Sequence, residues 1–105
     1  MEKLSVKKGT FPMDIMQDIE KIESILLKLG AAKIILYGSL ARGDYKADSD
    51  IDICYEGIPD ESYFRAVAEC LMETQRRVSV LDLKSIRGYL KQRILKEGKL
   101  LYEHK

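Results

Sequence analysis

Between residues 14 and 29, apolar side chains recur every three or four positions: Ile15, Met16, Ile19, Ile22, Ile25, Leu26 and Leu29. That spacing predicts a helix with one buried face, with Asp14 at its N-cap and Gly30 as its stop. The run from Lys33 to Tyr37 reads as a short buried strand ending at Gly38. Residues 39–43 can make one helical turn, and 43–49 read as loop. From Asp50 the chain alternates strictly. Asp50, Asp52 and Cys54 face one way, while Ile51, Ile53 and Tyr55 face the other. Gly57 and Pro59 break that strand. A second helical pattern over 61–77 carries Phe64, Val67, Ala68, Leu71 and Met72 as its apolar stripe. VSVLDL, residues 78–83, is a third strand. Ser85 then caps a last helix to about Lys96, which Gly98 terminates, and KLLYE is either a short final strand or an extended tail.

The order helix, strand, strand, helix, strand, helix predicts an α+β (α/β two-layer) domain, with helices packed on one face of a small sheet. The other face is left open, and Asp50 and Asp52 are expected on it. Residues 1–13 read as a loose polar lead-in and 14–105 as a single domain.

Composition narrows the function classes. A chain of 105 residues with 46% hydrophobic and 33% charged residues suits one globular core. A net charge of +1 gives no broad electrostatic support for nucleic-acid binding. Cys54 and Cys70 lack CxxC spacing and read as reduced thiols. With His104 as the only histidine, a His-based zinc site has no ligands. No apolar leader or membrane-length apolar run is present, so a cytoplasmic protein with no membrane partner is expected.

The chemistry concentrates in GSLARGDYKADSDID, residues 38–52. The period of two puts Asp50 and Asp52 on one strand face, with Cα atoms about 6.5–7 Å apart. Two carboxylates there can converge on one divalent cation, and oxygen-only ligation favours Mg²⁺ or Mn²⁺ over Zn²⁺. A D-x-D pair taken alone is equally two acids on a solvated strand face. Gly38, directly after a buried strand, allows a tight turn and close approach of a ligand. Ser39 then offers a hydroxyl and a backbone N–H to a phosphate, or simply caps a turn. Arg42 adds positive charge, while Lys46 reads as a solvated loop residue.

Gly38-Ser39, ten residues and Asp50-Ile51-Asp52 resemble the signature of the polymerase-β-type nucleotidyltransferase superfamily. Ala41-Arg42-Gly43 and Ser49 resemble the minimal nucleotidyltransferases within it, as does the stretch VSVLDLKSIRGYLKQRILKEGKLLYE. The likeness covers the chain from about Asp14. It implies the nucleotidyltransferase fold, with a mixed sheet and an active site on the open face. It also implies transfer of a nucleoside monophosphate, AMP from ATP, onto a hydroxyl with release of pyrophosphate. Gly38, Ser39 and Arg42 would bind the nucleotide, and Asp50 and Asp52 the metal, Mg²⁺ or Mn²⁺. The partner implied is a HEPN-type protein encoded nearby, this chain being the antitoxin that adenylylates a partner tyrosine. With no acceptor-binding module of its own, the chain would work as a homodimer or hetero-oligomer.

One departure stands out. The family pattern Val-Asp-Leu-Val-Asp-Leu carries a third catalytic carboxylate at its first Asp. Laid over VSVLDL, that position is Ser79, and only the second acid is kept, as Asp82. Asp82 is a substitute catalytic acid only if a bulge or early strand end redirects it, since residues three apart on a strand face opposite ways. The alternative expectation is a nucleotide- or partner-binding protein with weakened transfer.

Overall fold

The structure is a computed structural model and describes residues 11–104; most of the expected lead-in lies outside the described residues. Helix α1 spans Met13–Lys28, strand β1 Lys33–Tyr37, the short helix α2 Gly38–Arg42 and strand β2 Ile51–Glu56. Helix α3 spans Tyr63–Glu73, strand β3 Val78–Asp82, helix α4 Gly88–Glu97 and strand β4 Lys99–Glu103. The sheet order is β3-β2-β1-β4. β1 runs antiparallel to both β2 and β4, while β2 and β3 are parallel, so the sheet is mixed as expected.

KLLYE is therefore a strand, and its register on β1 pairs Lys33 with Glu103 and Ile34 with Tyr102. Two element starts move. α1 begins at Met13 with Pro12 in the cap position, and Asp14 instead sits in the first turn, where its carboxylate meets Arg76 at 3.2 Å. Ser85 lies in a single-turn 3₁₀ segment, Leu83–Ser85, and α4 starts three residues later at Gly88.

Strand parity divides the interior into two. Ile34, Leu36, Ile51, Ile53, Tyr55, Val78 and Val80 face α1 and form the main core with Ile15, Ile19, Ile22 and Leu26. On the opposite face, Ile35 and Cys54 pack with Leu83, Ile86 and Ile94 of α4. Tyr37, Leu81 and Leu100, partly buried, pack against this second cluster.

The stripe expected on α3 is corrected in part: Val67 is half-buried and packs against the main core, but most of the others do not. Phe64, Leu71 and Met72 are 80%, 49% and 77% exposed, whereas Ala66 and Cys70 are fully buried. α3 therefore turns its small side chains to the core and lies close against β3 and α1, leaving its bulkiest apolar groups in water.

One buried acid anchors this packing. Asp18, 1% exposed on the inner face of α1, accepts the backbone N–H groups of Gln75 and Arg76 at 3.1 and 3.2 Å. Removing it leaves the Gln75 and Arg76 N–H groups without their carboxylate acceptor, and hydrogen bonds to a charged group are worth about 1.5–3 kcal/mol each. Asp18→Ala is expected to lower the unfolding free energy by about 2–3 kcal/mol, moving the urea midpoint down with an unchanged denaturant slope; an unchanged midpoint would remove Asp18 from this role.

A second expectation concerns pH. Burial pushes the Cys70 thiol up to about 11, and burial reinforced by Asp82 pushes the Cys54 thiol and the Tyr55 phenol up to about 12. The folded state then keeps protons that the unfolded chain has already released above the ordinary thiol value of 9.0. Stability is expected to be level below about pH 9 and to fall as pH rises toward about 11. Urea unfolding across that window checks it; a flat profile would show that the thiols ionise freely in the fold.

Candidate active site

The site is built where β1 ends. Tyr37 is opposite Asp52 in the β1–β2 register, and Asp52 is opposite Ser79 in the β2–β3 register. Paired residues on neighbouring strands share a face. Tyr37, Asp52 and Ser79 therefore form one row across three strands on the second face, with Tyr37 packed against the cluster that holds Ile94.

Gly38 follows immediately, with φ of 74°. Only glycine adopts that region at no steric cost. Position 38 is closed to a side chain for a second reason: a Cβ there would overlap the Asp52 carboxylate, with Oδ2 as its nearest atom. The Gly-Ser turn and the second acid of the D-x-D pair are thus in direct apposition, although fourteen positions separate them in sequence.

Asp50 stands just ahead of β2 and is half-buried. It lines an open hollow of about 560 Å³ with Asp14, Asp48 and Arg76. The segment carrying it is tied down from the far side. The Arg76 guanidinium donates to the Ser49 carbonyl at 2.8 Å, and the Ile51 N–H donates to the Arg77 carbonyl at 2.9 Å. Within the loop the Lys46 N–H donates to the Ser49 hydroxyl at 2.7 Å.

The electrostatics are those of two acids without a full counter-charge. Burial raises the Asp52 carboxyl above the ordinary range, the Asp50 charge adds to that, and Arg42 opposes it. The donor set is oxygen only. A divalent cation would relieve both the burial and the repulsion, so the residues present fit a Mg²⁺ or Mn²⁺ ion. Among the described residues no group of three or more His, Cys, Asp or Glu side chains is gathered for a metal, so the arrangement rests on two carboxylates.

The remaining expected residues divide. Ser39 is half-buried in α2 directly after Gly38. Arg42 reaches Asp44 at 3.3 Å and Glu97 at 3.7 Å. Tyr37, Gly38 and Arg42 line a cavity of about 130 Å³ with Leu90, Arg93, Ile94 and Glu97, which places α4 beside the turn. Asp82 does not join the pair. It ends β3 without a bulge, three residues beyond Ser79, and its Oδ1 accepts the Lys84 N–H at 3.1 Å. It lines a separate hollow of about 420 Å³ with Asp60, Tyr63 and Ser85.

Sequence reasoning passed over three positions, Tyr37, Arg76 and Asp18. Tyr37 was legible only as the end of a strand; its parity with Asp52 emerges from the antiparallel register. Arg76 had no local signal, but Asp18 did, as an acid set in the apolar face of α1.

Residues 20–105 match the polymerase beta nucleotidyltransferase family. Two curated proteins of Methanocaldococcus jannaschii, each named "Putative protein adenylyltransferase", are similar. One is 39% identical over 89 residues, covering 82% of this chain and 96% of the relative. The other is 36% identical over 81 residues, covering 67% and 77%. Among solved structures, a toxin–antitoxin complex with AMP-PNP superposes with a TM-score of 0.71 at 24% identity, covering 82% of this chain and 73% of that one. A complex of tri-AMPylated Shewanella oneidensis HEPN toxin with MNT antitoxin gives 0.65 at 22% identity, covering 83% and 71%. At these identities the structural likeness shows the fold.

The apposition of Gly38 and Asp52 is testable against a glycine of similar φ. Gly43 has φ of 91° with nothing within 4 Å of an added Cβ. Gly43→Ala is expected to cost only backbone strain, about 1–2 kcal/mol. Gly38→Ala carries that strain and the displacement of Asp52, and is expected to melt lower than Gly43→Ala. Equal melting temperatures would show that Asp52 moves aside freely.

Proposed function

The chain belongs to the polymerase beta nucleotidyltransferase family, and from that premise we propose that it moves AMP from ATP onto a hydroxyl of a partner protein, in the cytoplasm. The observation that carries this reading is the contact of the Gly38 turn with the Asp52 carboxylate. It joins a turn suited to phosphate with an acid pair suited to a divalent cation. The names of the M. jannaschii relatives support protein adenylyl transfer.

In this reading Asp50 and Asp52 hold Mg²⁺ or Mn²⁺, and Gly38 and Ser39 receive the triphosphate. When bound, the cation offsets charge on the phosphoryl oxygens. The acceptor oxygen bonds to the α-phosphorus of ATP, the bond from that phosphorus to the β-bridging oxygen breaks, and pyrophosphate leaves with its electron pair. The acceptor's proton passes to solvent. Arg42 meets the phosphates by exchanging its contacts with Asp44 and Glu97; exposed pairs of that kind are worth little. Asp82, capping its own turn, is given no part.

The partner is read as a HEPN-type toxin, since solved fold neighbours are MNT antitoxins with HEPN toxins. A second reading rests on a specific observation. Ser79 faces the cleft beside Asp52 where a carboxylate would complete a triad. That favours a nucleotide- or partner-binding protein with little transfer.

Incubation with α-labelled ATP, Mg²⁺ and a candidate HEPN-type partner separates the two. Label is expected on a partner hydroxyl. Asp50→Asn and Asp52→Asn are each expected to reduce it at least about 100-fold, the loss of several kcal/mol of charge stabilisation. No label on a partner that the chain still neutralises would establish the second reading, and full activity in either Asn variant would overturn the site.

A further inference from the structure

Three charged side chains meet where α4 ends beside the Gly38 turn. The Arg93 guanidinium donates to the Glu97 Oε1 at 3.3 Å, and the Arg42 guanidinium lies 3.7 Å from the same oxygen. These three are the charged groups lining the cavity against Gly38, so its wall carries two cations and one anion. Asp44 meets Arg42 at Nε, 3.3 Å away, and is not part of that wall. The Arg93 guanidinium also sits over the Tyr89 ring, 5.8 Å from its centroid. Both arginine side chains stay partly exposed, at 37% and 43%, and so remain within reach of a ligand.

Helix energetics do not account for Glu97. It is the last residue of α4. An acid there opposes the macrodipole, and Arg four positions ahead of Glu is the weaker order of an i, i+4 pair. Gly98 fixes its place. An added Cβ at 98 would come within 2.5 Å of the Ile35 Cγ2, so the end of α4 presses directly on β1. One carboxylate oxygen shared by two guanidiniums is the arrangement in which such groups also hold a phosphate. We propose that Arg93 joins Arg42 in binding the triphosphate, and that Glu97 is the internal anion the pair gives up to take it. This deepens the proposed function and rests on it. Glu97 keeps the two guanidiniums gathered, which lowers the ordering cost of binding. The triphosphate, with more negative charge than one carboxylate, then displaces it.

The test reads affinity and does not depend on turnover. Binding of AMP-PNP with Mg²⁺ to the full chain is measured by isothermal titration calorimetry. Arg93→Ala is expected to weaken it about 10-fold, the loss of one charge-assisted hydrogen bond. Glu97→Gln keeps the shape, removes the competing charge and is expected to tighten binding at least about 2-fold. Lys96→Ala removes an exposed cation of the same helix that does not line the cavity, and is expected to change affinity by less than about 2-fold. A loss in Lys96→Ala equal to that in Arg93→Ala would reduce the effect to diffuse charge and overturn the inference. Unchanged or weaker binding by Glu97→Gln would overturn its role as the released anion. Unchanged affinity in Arg93→Ala would overturn the inference while leaving the Gly38–Asp52 site standing. Failure of the unaltered chain to bind AMP-PNP would overturn the functional reading itself, and this inference with it.

Discussion

Ile51, Ile53 and Tyr55 are each no more than 1% exposed, and their burial holds β2 to a single register. A slip of one residue would turn all three out to water and drive Asp52 into the main core. Everything at the site inherits that constraint. Asp52 and Cys54 must face the other way; Tyr37 must meet Asp52 across the antiparallel pair, and Ser79 across the parallel one. The two chemically distinct halves of one strand are therefore products of a single apolar pattern. Its hydrophobic side supplies the energy, and its polar side supplies the cleft.

Around that strand, the connection from α2 to β2 is held by groups distant in sequence. Asp18 fixes the end of α3, and Arg76, leaving that same turn, fixes the Ser49 carbonyl. The loop that delivers Asp50 is thereby referenced to the helical layer as well as to the sheet. Gly38 completes the arrangement by absence of a side chain, letting the backbone of the turn press against the Asp52 carboxylate. The Gly38 turn and the Asp52 carboxylate are so positioned by packing in the core beneath them, and no helix among the described residues is long and apolar enough to cross a membrane.

Much of this was legible in one dimension. The i, i+3, i+4 spacing in α1 named Ile15, Ile19, Ile22, Ile25 and Leu26, all of them buried. Strict alternation in β2 assigned its faces correctly, and the spacing from Gly38-Ser39 to Asp50-Ile51-Asp52 marked the segment. α3 shows where such reasoning stops. Its apolar residues lie on more than one side, and periodicity ranked the bulky side above the side of Ala66 and Cys70. The small residues won because they let the helix approach β3 and α1 closely. Asp82 shows a second limit: its parity was readable, but its bond to the Lys84 N–H depends on the 3₁₀ turn that follows.

Residue order along the chain was sufficient for the elements and the family resemblance, because these depend on patterns within a few turns or one strand. Which groups surround Asp52 was settled by pairing of strands remote in sequence. Tyr37 and Ser79 come to flank Asp52 only through β1–β2–β3 registry, α4 packs on the second face through Ile94, and Arg76 reaches Ser49 only once α1 and α3 have packed. Local periodicity carries no information about those separations, whereas burial of the apolar faces leaves one arrangement in which they are met.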